Sequence, residues 1–142
     1  MMLPEIVNLQ RSIKVDTVSL EGFVKRCRTI SETSGRHFSI AIIGDSRMKQ
    51  LNETFRGKKS TTDVLSFPHE PDEFDPDKEN LGDIVISAQQ AEKQAIENGL
   101  TLEEELKQLI LHGVLHLCGY DHEIDNGEMN ARELELRDEL GI

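Results

Sequence analysis

Tryptophan is absent and tyrosine occurs once, so five phenylalanines and Tyr120 supply all the aromatic surface of the chain. Cysteine is nearly as scarce: Cys27 and Cys118 are too few for a disulfide framework, which points to a reducing cytoplasm. No apolar run approaches the ~18 residues of a membrane span, so no membrane association is expected. The opening MMLPEIVNLQ lacks the charged and then apolar pattern of a secretory signal. Positive charge is also in deficit, with 16 Lys and Arg against 27 Asp and Glu and a net charge of −11. Phosphate backbones are held by lysine and arginine, so this balance argues against indiscriminate nucleic-acid binding.

What is present is the composition of one ordinary soluble domain: 142 residues, 37% hydrophobic and 30% charged. The charge is unevenly spread. Residues 47–59 hold Arg47, Lys49, Arg56, Lys58 and Lys59 against Glu53 alone, a local +4, and the following 60–80 sum to −6. A basic patch on an acidic body can steer an anion, although a solvated turn would look the same.

Apolar periodicity divides the chain into alternating elements with no repeat and no linker. LPEIVNL, HFSIAIIG, VLSF and LGDIVIS read as strands, the second and fourth dense in β-branched residues. Asp16 is placed to cap a helix running to about Ser34, with Leu20, Phe23, Val24, Cys27 and Ile30 on one face and Gly35 as its stop. Asp45 is expected to cap a second helix, ended by Gly57, and Ser87 a third. Thr101 and Glu104 have capping-box spacing before a long apolar helix reaching about Cys118. A polar helix covers GEMNARELELRDEL, and the proline- and acid-rich PHEPDEFDPDKEN is a loop long enough to suspect mobility or function. The fold class is therefore α+β, a single domain over residues 1–142 with about four strands and about five helices. Strand order stays open.

The chemistry concentrates in LHGVLHLCGYDHE, residues 111–123, where His112, His116 and His122 fall at H-x₃-H-x₅-H. Positions i and i+4 of a helix stand about 40° apart in azimuth and ~6 Å apart along the axis, within reach of one metal ion. Gly119 tolerates the left-handed turn that would bring His122 back toward the pair. Three imidazoles with a fourth position left to water is the donor set of a catalytic zinc. A structural zinc closed by Cys118, Asp121 or Glu123 is the competing arrangement, and Asp121 or Glu123 can instead orient an imidazole. Nickel, copper or cobalt also suit three imidazoles. The spacing nearly spells the H-E-x-x-H-x-x-G-x-x-H of one class of zinc proteases, but Gly113 stands where those have their catalytic glutamate. Without it, peptide cleavage loses the group that protonates a poor leaving amine. A carboxylate from elsewhere, such as Asp83, could reach in to restore such a group.

The stretch HGVLHLCGYDH resembles the H-G-x-L-H-L-x-G-Y-D-H signature of the YbeY family, bacterial endoribonucleases of rRNA maturation. NETFRGKKSTTDVLSFP and LGDIVIS resemble that family's other two signatures and come in its order, so the resemblance covers nearly the whole chain. It implies a small mixed sheet with a zinc-binding helix packed on it. It also implies one Zn²⁺ held by His112, His116 and His122, and a role in activity for Arg56. A guanidinium presents a planar fork to phosphoryl oxygens whose charge grows in the transition state, so an arginine beside the metal suits a phosphodiester. Lys58 and Lys59 are candidates for flanking phosphates, and Phe67 and Tyr120 for base stacking.

The expected activity is thus zinc-dependent, single-strand-specific endoribonucleolytic cleavage in small-subunit rRNA maturation and ribosome quality control. Single-stranded RNA and rRNA precursors are the expected partners, with ribosomal proteins or ribosome-associated factors supplying specificity to an acidic body. Two readings compete: a metal-dependent hydrolase resembling a metalloprotease, and a non-catalytic zinc-stabilised ribosome-associated module.

Overall fold

Residues 5–142 are described by a computed structural model of the chain; Leu3 and Pro4 of the expected first strand lie outside the described residues. The two isoleucine-rich segments become the centre of the sheet. Strand β2 (His37–Ile43) sits between β1 (Ile6–Asn8) and β4 (Asn80–Ser87), and β3 (Val64–Pro68) forms the far edge, in the order β1-β2-β4-β3. The first three pair in parallel, whereas β3 runs antiparallel to β4 with Leu65 opposite Val85. The sheet is therefore mixed, as the family resemblance implies. Helix α1 (Thr17–Cys27) makes the crossover from β1 to β2, and α2 (Asp45–Arg56) carries the chain from β2 to the distant edge. The acidic loop 69–79 joins β3 to β4, where His69 Nε2 lies 2.6 Å from Asp75 and His37 Nε2 lies 3.0 Å from Asp77.

Side chains alternate across the pleat, giving the sheet two unequal faces. Ile6, Ile40, Ile42, Ile84 and Ile86 project into the main core, shared with α1, α3 (Ala88–Asn98), α4 (Leu102–Leu117) and α5 (Glu128–Leu140). On the reverse, Ile43 and Leu65 pack under Met48 of α2 in a smaller cluster.

Helix α4 is buried on most sides, and its ends are well defined. Thr101 Oγ1 accepts from the Glu104 amide at 3.1 Å while the Glu104 carboxylate accepts from the Thr101 amide at 2.9 Å, completing the expected capping box. Gly113 lets the helix lie against β4: a Cβ at this position would come within 2.8 Å of Ile84 Cγ2. The open side of Gly113 thus faces the sheet.

Two expectations are corrected. Helix α1 ends at Cys27 rather than near Ser34, because hydroxyl side chains take the backbone carbonyls that would continue it. Thr29 Oγ1 donates to Arg26 O at 2.7 Å, Thr33 Oγ1 to Cys27 O at 2.8 Å and Ser34 Oγ to Ser31 O at 2.7 Å. Ile30 is buried all the same. Asp45 is the first residue of α2, with Gly44 at the cap position. Its carboxylate instead accepts hydrogen bonds from Thr61, Ser87 and Gln90, tying α2 to the 57–63 segment, β4 and α3.

Candidate functional site

The last turns of α4 carry His112 and His116, and the chain reverses immediately beyond them. Gly119 adopts φ +100°, its amide donating to His116 O and the Tyr120 amide to Leu115 O, both at 3.1 Å. This bend returns His122 to the helix end. The three ring centroids stand 4.8, 5.3 and 5.3 Å apart, and one nitrogen from each ring lies within 4.8 Å of the others. Among the described residues no cysteine or carboxylate joins this group.

The chemistry of the donors fits a divalent ion. Burial, and then the neighbouring His112 and His122, push the pKa of His116 down, favouring the neutral ring that ligates. His112 Nδ1 lies 2.9 Å from Glu133 Oε1 and donates to it, which leaves Nε2 free to ligate. Arg137 Nη2 holds the other Glu133 oxygen at 3.2 Å. Burial by itself raises the Glu133 carboxyl. The hydrogen bond from His112 and the positive charge of Arg137 outweigh it, keeping the group below its ordinary pKa and ionised.

The histidines open on a cleft of about 620 Å³ whose opposite wall comes from α2, the 62–63 segment and β3, including Arg56, Asp63 and Ser66. Arg56 is thus brought to the histidines from 56 residues before His112. Its guanidinium lies 3.9 Å from Glu123 across the cleft. Asp63 is held by the Val64 amide at 2.8 Å and by Gln94 at 3.2 Å, and Asp121 accepts from the Glu123 amide at 3.0 Å. Tyr120 also lines the cleft, its hydroxyl donating to Glu32 at 3.2 Å.

Other sequence expectations fall elsewhere. Asp83 lies on the opposite face of the sheet, hydrogen-bonded by Ser39, so it does not reach in to replace the missing glutamate. Phe67 shares that reverse face, and neither Lys58 nor Lys59 lines the cleft. Cys118 stays outside the histidine group, its thiol pushed up by burial. Glu133, and not Asp121 or Glu123, makes the orienting hydrogen bond to an imidazole. The readable signal for Glu133 is an acid within the buried stripe Met129, Glu133, Leu136, Leu140 of an otherwise polar helix.

Residues 5–141 match the family model described as Endoribonuclease YbeY. An Endoribonuclease YbeY of Koribacter versatilis is 45% identical over 128 residues, covering 90% of this chain and 80% of that protein. One from Aquifex aeolicus is 52% identical over 98 residues, 68% of this chain and 64% of its own length. One from a Sulfurovum species is 38% identical over 138 residues, 94% and 88% of the two chains. The solution structure of a Thermotoga maritima protein superposes with a TM-score of 0.63 at 29% identity, covering 95% of this chain and 88% of that one. On sequence, fold and the order of its motifs, the chain belongs to the YbeY family.

Proposed function

We propose that this chain is a zinc-dependent endoribonuclease that cleaves single-stranded RNA, acting in the cytoplasm on rRNA precursors of the small subunit and in ribosome quality control. The observation that carries the reading is one cleft holding three convergent imidazoles and, facing them, Arg56. Family membership and the relatives named as endoribonucleases support RNA as the substrate. His112, His116 and His122 would hold the ion, which when bound supplies Lewis acidity toward a phosphoryl oxygen and lowers the pKa of a water.

The chain's own residues do the rest. Glu133 fixes the tautomer and direction of His112. Arg56 exchanges its long contact with Glu123 for the non-bridging oxygens of a phosphodiester. Peptide hydrolysis is disfavoured, because the position of the protease glutamate is a glycine packed on Ile84. With a net charge of −11 the body resists casual RNA binding, so ribosomal proteins or ribosome-associated factors are the fitting source of specificity.

The test compares wild type, His112→Ala and Arg56→Ala on a labelled single-stranded RNA, with and without chelator, at equal folded fraction. Cleavage by wild type alone, abolished by chelator and restored by zinc, is expected. Equal cleavage by all three proteins means a contaminating nuclease and ends the proposal.

A further inference from the structure

The reverse face of the sheet carries an aromatic site that the metal centre does not use. Between α2 and strands β1, β2 and β4 lies a groove of about 340 Å³, lined by Val7, Ala41, Leu51, Phe55, Phe67 and Val85. Phe55 and Phe67 form an edge-to-face pair with centroids 5.1 Å apart, and Phe55 is 62% exposed. With Val7, Ala41, Leu51 and Val85 the pair makes a contiguous apolar lining, unlike a lone exposed ring.

Three observations tie this groove to the cleft. Phe55 and Arg56 are consecutive, one lining the groove and the other the cleft, so the last turn of α2 straddles both. Phe67 lies between Ser66 and Pro68, which line the cleft, so the edge strand β3 alone separates the two hollows. Arg47, one of the basic residues clustered in 47–59 on an otherwise acidic molecule, is on α2, whose Leu51 and Phe55 line the groove. Helical spacing sets Arg47, Leu51 and Phe55 along one line of that wall.

We propose that the Phe55–Phe67 groove is a base-binding subsite, taking one unpaired base of an RNA strand that crosses the edge of β3 from the cleft. This rests on the single-stranded RNA reading above and extends it to where the neighbouring nucleotide lies. Apolar walls and an open ring accept the π-face of any base, and Arg47, one turn along α2 from Leu51, supplies charge for a phosphate beside it. Asp83, at the rim, offers a carboxylate to an amino group on the base edge and repels phosphate from the groove floor. A base in a duplex has no free face, so the subsite itself selects single strands.

The test uses the zinc-loaded full chain. Phe55→Ala is expected to raise KM for single-stranded RNA about tenfold with little change in kcat. Phe55→Tyr should retain wild-type KM and Phe55→Leu should behave like alanine. Phe74→Ala, which removes an 84% exposed ring from the acidic loop, should change nothing. In parallel, single-stranded RNA carrying 5-iodouridine is cross-linked by ultraviolet light, and the attached peptide, expected to contain Phe55 or Phe67, is identified by mass spectrometry. A Phe55→Leu protein with unaltered KM overturns the proposal, as do cross-links that map elsewhere. If wild type cross-links at the groove but cuts no RNA, the nuclease reading fails while the base site stands. If it cuts RNA with Phe55→Ala equal to wild type, the base site alone fails.

Discussion

A methyl group on residue 113 would sit 2.8 Å from Ile84 Cγ2 and 3.1 Å from its Cδ1, closer than carbon atoms pack. Gly113→Ala should therefore cost about 1–3 kcal/mol in urea unfolding. Combining it with Ile84→Ala, which empties the contested space, should cost less than the sum of the two single changes. Glu133 makes a different kind of contribution. Glu133→Gln keeps the shape of the side chain but weakens the hold on His112, so zinc affinity should fall ~10–100-fold in a competition titration with a coloured chelator, the fold staying intact. The three histidines were legible because helical spacing and a glycine bend are local rules. Glu133 was readable only as an acid in an apolar stripe; its partner was not, since nothing in its own helix says that residue 112 lies opposite. The placement of Asp83 was readable in principle: with Ile84 and Ile86 in the core, the pleat sends the residue before them to the other face.

At the level of elements, the sequence located every strand and helix among the described residues, and caps decided how well their ends could be drawn. The Thr101–Glu104 box is a self-contained signal, and both of its hydrogen bonds form. Thr101→Ala should cost about 1 kcal/mol of stability, measured by thermal or urea unfolding. It should leave zinc affinity unchanged, because the histidines occupy the other end of α4. The end of α1 was obscured by three hydroxyl residues, Thr29, Thr33 and Ser34, which apolar periodicity does not register but which capture carbonyls once the helix weakens. Asp45 illustrates the limit of cap reasoning. A carboxylate at a helix start also serves distant partners, and here Thr61, Ser87 and Gln90 claim it. The order of strands in the sheet depends on such long-range joints, and no local pattern encodes it.

Across the whole molecule, the turn after α1 is tied to the C-terminal helix by one ion pair. Arg132 Nε donates to Glu32 Oε2 at 2.6 Å and Nη2 to Oε1 at 3.0 Å. The hydrogen bonds from Arg132 hold the Glu32 pKa at about 2, down from 4.5, against the opposing effect of burial. A carboxyl whose folded pKa is depressed contributes stability that is complete above its unfolded value and is lost as pH falls toward the folded one. Stability should therefore decline as pH drops from about 4.5 to about 2, and Glu32→Gln should flatten that acid limb in urea unfolding at stepped pH. At neutral pH the same substitution should cost about 1–3 kcal/mol, since a charge-assisted pair is broken beneath the surface.

The histidines all come from one stretch, 112–122, whereas Arg56 arrives only when α2 has packed on the reverse of the sheet through Met48, Ile43 and Leu65. Closing a short segment around a cation costs little chain entropy, while joining the two halves of the cleft requires a long-range loop to close first. The two halves should then mature at different times. A chain refolding in the presence of Co²⁺ should develop the visible absorption of tetrahedral cobalt before it regains the power to cut RNA, a lag that stopped-flow absorbance and quenched cleavage can time. During that interval the protein would be loaded yet harmless to transcripts around it.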